Sequence, residues 1–267
     1  MVAMDSQTQG GGMSALDLLA SSRAEEAGYV ALQDVAALAD ACGIDYRLVG
    51  GQMVSLHVAA AGVVEPTIRL TLDADLGVEP AVAADPAIVS KLIELGYDRP
   101  DVANRFERTD SHGRNLIIDL LTASYNGHLV TNVSHGDMTL DAIPGLSLAL
   151  ALPGEVLDLR AHLMDGSVIN MTIVVPDALA ALCLKVVGWA DRRAAKDAFD
   201  VWRLLRVFVA RTRHHEWRSN GVEGDAAKVL RADFAQVNGL GVKMATRVPA
   251  EQAEVRALAL RALGAQG

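Results

Sequence analysis

The sequence predicts a mixed α/β (α+β) fold, with a mixed sheet and flanking helices, followed by a helical C-terminal half. Before residue 175, segments with the apolar period of helices are interspersed with segments that alternate apolar and polar residues, as half-buried strands do. After Pro176 only the helical period remains. The chain has 267 residues, of which 51% are hydrophobic, so it can bury a large core. We therefore predict a flexible leader at 1–13, an α/β domain at 14–175 and a helical domain at 176–267.

The N-terminal part of the α/β domain shows helices and strands in turn. Leucine spacing predicts helices at 14–27 and 32–42. The segment "DYRLVGG" predicts a short strand that ends in a Gly-Gly turn, and "QMVSLHVAAAG" predicts a helix that ends at Gly62. Alternating residues predict a strand over 68–76. Asp-Pro at 85–86 then marks the start of the helix "AIVSKLIELG".

The remaining segments complete the sheet and the helical half. "ANRFERTD", a Ser-His-Gly turn and "RNLIIDLL" predict a β-hairpin. "VLDLRAHL" and "VINMTIVV", separated by "MDGS", predict two further strands. Four helices are predicted from Pro176 onward, at 177–190, 194–212, 222–236 and 250–264.

Composition narrows the class of protein. The net charge of −9 argues against a protein that coats nucleic acid. No apolar run reaches the ~20 residues that span a bilayer, and the N-terminus does not have the pattern of a signal peptide. We therefore expect a cytoplasmic protein with no membrane partner. A local basic patch that contacts RNA phosphates could still come from one of two clusters. These are Arg211, Arg213 and Arg218, or Arg192 and Arg193.

Paired carboxylates are the first candidate functional feature. Asp73 and Asp75 are two residues apart on a predicted strand, so their side chains share a face, about 7 Å apart at the backbone. Like charges this close repel unless a cation lies between them. Mg²⁺, or Mn²⁺ in its place, binds carboxylate oxygens together with substrate phosphates. The alternative is a solvent-facing side of an ordinary strand.

Asp119 is a third carboxylate, in the apolar segment "NLIIDLL". Ile117 and Leu121 lie on the same face of this strand, so a lone charge there would be costly to bury. If Asp119 meets the first pair, the three carboxylates could hold two metal ions, which stabilise the attacking and leaving oxygens of a phosphoryl displacement.

Glycines and charged helical residues complete the candidate site. Gly50 and Gly51 precede a helix, where a phosphate can approach backbone N–H groups, although an ordinary turn is the alternative. Lys185 lies in an apolar helix and requires an anion, either a triphosphate or a carboxylate such as Asp197 or Asp200. Lys196, Asp197 and Asp200 could equally form a solvated, ion-paired helix face.

The order of these motifs resembles the nucleotidyltransferase superfamily, and more narrowly its AbiEii/MenT toxin branch. That branch has a Gly-Gly turn, a helix with a His, the pattern R-x-T-x-D-x-D, a helix with a Lys, and a K-D-x-x-D helix. The residues that match this pattern are Gly50, Gly51, His57, Arg69, Thr71, Asp73, Asp75, Lys185, Lys196, Asp197 and Asp200. Gln52 departs from it, since a Ser or Thr usually follows the glycines there. The resemblance covers about residues 45–205.

The resemblance implies a nucleotidyltransferase fold and a Mg²⁺-dependent enzyme that transfers a nucleoside monophosphate from a nucleoside triphosphate to RNA, at the 3′ end of tRNA. It also implies a growth-inhibiting toxin with a separately encoded antitoxin. The catalytic and metal-binding residues would be Asp73, Asp75 and Asp119. The nucleotide-binding residues would be Gly50, Gly51, Gln52, Ser55, Arg69, Lys185, Lys196, Asp197 and Asp200. The alternatives are nucleotide transfer to a small molecule, and a catalytically silent nucleotide-binding protein.

Overall fold

The computed structural model describes residues 15–64, 71–99, 104–136 and 138–264. The predicted leader at 1–13 and the candidate residue Arg69 lie outside these ranges. The mixed α/β fold class is confirmed, with mixed sheets and flanking helices. The described strands are β1 (Leu16–Leu19), β2 (Arg47–Val49), β3 (Asp73–Val78), β4 (Arg105–Thr109), β5 (Asn115–Ser124), β6 (Val130–His135), β7 (Met138–Pro144), β8 (Glu155–His162) and β9 (Val168–Val175).

Helices flank the strands in the first half and dominate the second. The described helices are α1 (Arg23–Cys42), α2 (Gly50–Ala60), α3 (Pro80–Ala83), α4 (Pro86–Glu94), α5 (Leu146–Ala151), α6 (Ala178–Arg192), α7 (Ala195–Arg211), α8 (Gly221–Val229), α9 (Leu240–Ala245) and α10 (Pro249–Ala262). A π-helical turn over Leu230–Phe234 continues α8. No helix among the described residues combines the length and the apolar character needed to cross a bilayer.

The predicted helix over 14–27 is wrong. Residues Leu16–Leu19 instead form β1, which pairs in parallel with β8 and buries Leu18. A single helix then begins at Arg23, because the Ser22 side chain caps it by accepting a hydrogen bond from the Glu25 N–H. The leucines at the start have neighbours on β8 that periodicity alone does not reveal.

Other predicted elements match the structure to different degrees. The hairpin, the helix that begins after Asp85, and the strands on both sides of "MDGS" are present. The strand predicted over 68–76 begins only at Asp73 within the described residues, and the helix predicted over 222–236 ends in the π-helical turn. The elements that were not predicted are β6, β7, α3, α5 and α9.

The main sheet has the strand order β2-β3-β5-β7-β6. Strands β3, β5 and β7 are parallel, whereas β2 and β6 run antiparallel at the two edges. Strand β5 is long enough to pair with two strands along one side, β4 over its first half and β7 over its second. The residues near the middle of β5 therefore lie where β3, β4 and β7 all meet.

A second sheet of β1, β8 and β9 packs beside the first, and α1 contacts strands of both sheets. The helices after residue 175 pack on this assembly, with α6 and α7 in contact with each other and with α2. One continuous hydrophobic core contains residues from both sides of residue 175, among them Leu120 and Trp189. The packing of α2 and α6 against the main sheet, and of α7 against these two helices, positions the candidate site.

Candidate active site

The register of the main sheet places the candidate residues in one row. Val49 of β2 is paired with Asp75 of β3, which is paired with Asp119 of β5. On the other side of β5, Asp119 is paired with Arg105 of β4. Paired residues on neighbouring strands point to the same face, and Asp73 joins them because it precedes Asp75 by two residues. Three carboxylates and a guanidinium therefore share one face of the sheet.

The three predicted carboxylates do meet. Asp73, Asp75 and Asp119 each offer an oxygen, and these oxygens lie within 4.8 Å of one another. Asp119 is buried, and the other two are half-buried. Hard divalent cations such as Mg²⁺ and Mn²⁺ bind carboxylate oxygens, so the donor set fits such an ion.

The carboxylates also carry an electrostatic cost. Burial, together with the neighbouring charges of Asp73 and Asp119, raises the pKa of Asp75 to about 7, although Lys185 and Arg105 partly oppose this shift. Asp75 therefore lacks sufficient compensating positive charge. A divalent ion bound there would supply that charge, so the charge imbalance at Asp75 also favours a metal at these residues.

The Gly-Gly turn lies directly beside the carboxylates. Gly50 has a φ of +70°, which other residues rarely adopt, and a Cβ there would collide with the Asp75 carboxylate. A Cβ on Gly51 would collide with the Thr71 side chain. No side chain caps the start of α2. Its first N–H groups therefore have no side-chain acceptor, which leaves them for an anion.

A cleft of about 400 Å³ collects most of the predicted site residues. It runs between the row of carboxylates, the start of α2 and the facing ends of α6 and α7. The predicted residues that line it are Gly50, Gly51, Asp73, Asp75, Asp119, Lys185, Lys196 and Asp197. The cleft therefore brings a helix N-terminus, three candidate metal ligands and two lysines to one place.

Gln52 and Ser55 lie elsewhere. Both line a separate cavity of about 310 Å³, and neither lines the cleft. The Gln52 amide donates to the backbone oxygen of Thr71 at 2.9 Å, and the Ser55 hydroxyl accepts from Arg203 at 3.3 Å. Their hydrogen bonds to Thr71 and Arg203 hold these side chains at that cavity. His57 is fully buried, with Nε2 2.9 Å from the Pro176 carbonyl oxygen.

Lys185 has a carboxylate as its partner. Its Nζ donates to Asp200 Oδ2 at 2.8 Å, and this ion pair joins α6 to α7 with 6% and 0% of the two side chains exposed. Asp200 does not line the cleft. Of the two anions that the sequence allowed, the structure therefore shows the carboxylate, while Lys185 still forms part of the cleft wall.

Asp197 is also held by an ion pair. Arg192 donates to both of its oxygens, at 3.0 and 3.1 Å, at the start of α7. Burial lowers the pKa of Arg192, but the bonds to Asp197 and the nearby acidic charges outweigh it and raise that pKa overall. Lys196, by contrast, is exposed at the cleft.

Two charged residues of the cleft were missed from the sequence. Arg105 forms a two-pronged ion pair with Asp119, with Nε 2.9 Å and Nη2 2.8 Å from the two oxygens. These bonds raise the pKa of Arg105 above its ordinary value. The predicted hairpin could have indicated the role of Arg105, because a turn between Thr109 and Asn115 sets Arg105 opposite Asp119. Asp141, the second residue, lies on β7, a strand that was not predicted.

The basic residues considered for RNA binding are largely engaged in ion pairs. Arg211 donates twice to Glu155, at 2.9 and 2.8 Å. Arg218 lies 3.6 Å from Glu223, and Arg193 donates to Asp233 at 2.9 Å. Each carboxylate offsets the charge of its guanidinium and so weakens the attraction of that arginine for a phosphate.

Lys185→Met is expected to lower the free energy of unfolding by about 2–4 kcal/mol, because it leaves the buried Asp200 carboxylate without its closest partner. Urea denaturation measures the loss. Val186→Ala, a change at the buried neighbour on the same helix, is the control, since it opens a cavity without removing a charge. If Lys185→Met kept full stability while nucleotide binding fell, Lys185 would be a phosphate ligand rather than a structural cation.

No protein-family model matches the sequence, and no curated protein matches it significantly. What the cleft can do has therefore to be inferred from its own residues. These residues suit phosphoryl chemistry, since carboxylate ligands for divalent ions and a helix N-terminus for phosphate face the same space.

Proposed function

We propose that this protein is a Mg²⁺-dependent nucleotidyltransferase of the AbiEii/MenT toxin type. The observation that carries the proposal is the meeting of Asp73, Asp75 and Asp119, with oxygens within 4.8 Å of one another, in the same cleft as the N-terminus of α2. Phosphoryl displacement at metal centres needs metal ions held by carboxylates and separate groups that bind the phosphate chain. Both requirements have candidates in this cleft.

In the proposed reaction, Asp73, Asp75 and Asp119 would hold Mg²⁺ or Mn²⁺, and the bound ion would neutralise negative charge on the triphosphate. The backbone N–H groups at Gly50 and Gly51 donate to phosphate oxygens. Asp119 accepts the proton of the acceptor hydroxyl as a general base. The hydroxyl oxygen bonds to the α-phosphorus, the bond from the α-phosphorus to the bridging oxygen breaks, and pyrophosphate leaves.

The proposed acceptor is RNA, at the 3′ end of tRNA. The support is the resemblance of the motifs, which also leads us to propose growth inhibition as the outcome, a separately encoded antitoxin as partner, and the cytoplasm as the compartment. Lys196 and Arg192 line the cleft and would be the nearest basic side chains to an RNA end bound there.

A small-molecule acceptor is the second candidate, and the ion pairs on the surface favour it. Arg193, Arg211 and Arg218 each bond to a carboxylate, and the net charge is −9. Such a surface attracts a polyanion weakly.

The test is to incubate the protein with each α-labelled nucleoside triphosphate, Mg²⁺ or Mn²⁺, and either total RNA or a set of small hydroxyl compounds. Labelled RNA supports the first candidate, and a labelled small molecule supports the second. Binding of a nucleotide without transfer to any acceptor would leave a catalytically silent nucleotide-binding protein.

Salt dependence separates the two acceptors. Transfer to RNA is expected to fall steeply as salt rises, because each phosphate contact releases counterions on binding. Transfer to a small molecule is expected to change little. Arg192→Gln together with Lys196→Gln is expected to flatten the salt dependence of RNA labelling, and Arg231→Gln, a change at an exposed arginine on the π-helical turn, is the control. A shallow profile with RNA would contradict a phosphate-held acceptor.

A further inference from the structure

Arg105 is hydrogen-bonded to the carboxylate oxygens of Asp119, which a metal ion would also bind. Its Nε and Nη2 donate to Oδ1 and Oδ2 of Asp119 at 2.9 and 2.8 Å, so both carboxylate oxygens are bonded. Each oxygen keeps a second lone pair for a metal ion, but a divalent ion bound there would lie beside the guanidinium and repel it. Metal binding and the Arg105–Asp119 ion pair therefore compete for the same carboxylate.

Arg105 can leave its carboxylate partner more easily than Lys185 can. The Arg105 side chain is 32% exposed and lines the cleft, so its guanidinium can change position without disturbing the packing of the core. The Lys185 side chain is only 6% exposed and is bonded to a fully buried carboxylate. Glu107, two residues along on the same face of β4, has an oxygen 3.9 Å from Arg105 Nη1 and can keep the guanidinium near the cleft. Of these two cations of the cleft, Lys185 is therefore fixed and Arg105 is movable.

The charge balance of the site indicates which group Arg105 would contact after it leaves Asp119. A bound metal ion would neutralise Asp119 and weaken its ion pair with Arg105, while a bound nucleotide would bring a chain of phosphates into the same cleft. A guanidinium is a planar fork of donors that matches two phosphate oxygens at once. The released side chain can therefore exchange one oxyanion for another without leaving its charge unpaired.

We propose that Arg105 is a movable cation of this site, which neutralises Asp119 before the metal binds and contacts the triphosphate afterwards. This inference rests on the proposed function, because it needs a metal at Asp119 and a triphosphate in the cleft. It adds a substrate-binding residue and an order of events, in which the metal ion prepares the site for the nucleotide.

The first measurement is calorimetric titration of the protein with Mn²⁺ alone. Arg105→Gln is expected to bind Mn²⁺ about tenfold more tightly than the wild type, since the competing ion pair is gone. Arg108→Gln is the matched control, because Arg108 lies on the same strand and bonds to Asp34 at 2.6 Å outside the cleft. Its Mn²⁺ affinity is expected to equal that of the wild type.

The second measurement uses inorganic triphosphate with saturating Mn²⁺, which removes any contribution from the base. Arg105→Gln is expected to bind this probe about tenfold more weakly. The opposite signs of the two changes are the signature, since a purely structural Arg105 would weaken both affinities when replaced. Arg105→Lys provides a second variant if Arg105→Gln does not fold, and the same opposite signs are expected because a Lys cannot make the two-pronged bond.

The outcomes distinguish this inference from the proposed function. If Arg105→Gln binds Mn²⁺ no more tightly than the wild type, or binds triphosphate equally well, Arg105 is not a movable cation although the metal site stands. If neither the wild type nor Arg105→Gln binds Mn²⁺, the proposed metal-dependent function fails together with it.

Discussion

Asp75→Asn is expected to abolish nucleotide transfer while it stabilises the metal-free protein. Transfer is expected to fall by roughly a thousandfold or more, because the amide is a poor ligand and the ions that stabilise the transition state are lost. Stability is expected to rise because Asp75 lies among two other carboxylates. Few substitutions remove an activity and strengthen a fold at once, so the combination identifies a site built to receive a cation.

The sign of the stability change follows from the raised pKa. Asp75 has a pKa of about 7 in the folded protein and 3.8 as its ordinary value. Between these values the folded state binds the proton more tightly than the unfolded state, so the contribution of Asp75 to stability decreases as pH rises from about 4 to about 7. Above that window the wild type carries the full cost, on the order of 2–4 kcal/mol, and Asp75→Asn does not.

Urea denaturation with a chelator present, at about pH 5 and about pH 8, measures this difference. Asp40→Asn, a change at an exposed residue on α1, is the control and is expected to stay within about 0.5 kcal/mol of the wild type. With Mg²⁺ added, the wild type is expected to gain stability and Asp75→Asn is not. A less stable Asp75→Asn variant that still transfers nucleotide would contradict the role of Asp75 as a metal ligand.

Gly50→Ala is expected to reduce transfer by about a hundredfold or more, since a Cβ there collides with the Asp75 carboxylate and displaces it from the row. The backbone conformation adds a cost, because Gly50 has a φ of +70°. Initial rates with saturating and subsaturating nucleotide show whether binding, turnover or both are affected.

Gly62→Ala separates the two causes. Gly62 follows the same helix with a φ of +63°, but a Cβ there meets nothing within 4 Å. It is therefore expected to lower stability by about 1 kcal/mol and to leave transfer unchanged. Equal activities of Gly50→Ala and the wild type would show that the close approach of the turn to Asp75 has no role in the reaction.

The carboxylates could be predicted from the sequence because their signals are local. The spacing of Asp73 and Asp75 determines that they share a face, and the apolar neighbours of Asp119 make an isolated charge there costly. The glycines at a strand-to-helix turn are also a local feature. Each of these residues carries its own chemical reason to be in a site.

The rest depended on pairing between distant segments. Arg105 is one of many surface-type arginines until the register of β4 and β5 places it against Asp119. Leu16–Leu19 fit a helix as well as a strand until β8 is alongside. Gln52 and Ser55 come soon after the glycines in sequence, yet their side chains line another cavity. These relations depend on contacts between distant segments. Only the one at Arg105 could be inferred from the sequence, through the turn of the predicted hairpin.

The most direct test of the proposed function compares parallel reactions with nucleoside triphosphate labelled at the α- or at the γ-phosphate, in the presence of Mg²⁺ and the acceptor found in the screen. Nucleotidyl transfer is expected to label the acceptor from the α-phosphate only and to release the γ-label in pyrophosphate, and Asp75→Asn is expected to do neither. Transfer of the γ-label, or no transfer of either label to RNA or to any small hydroxyl compound, would contradict a nucleotidyltransferase built on Asp73, Asp75 and Asp119.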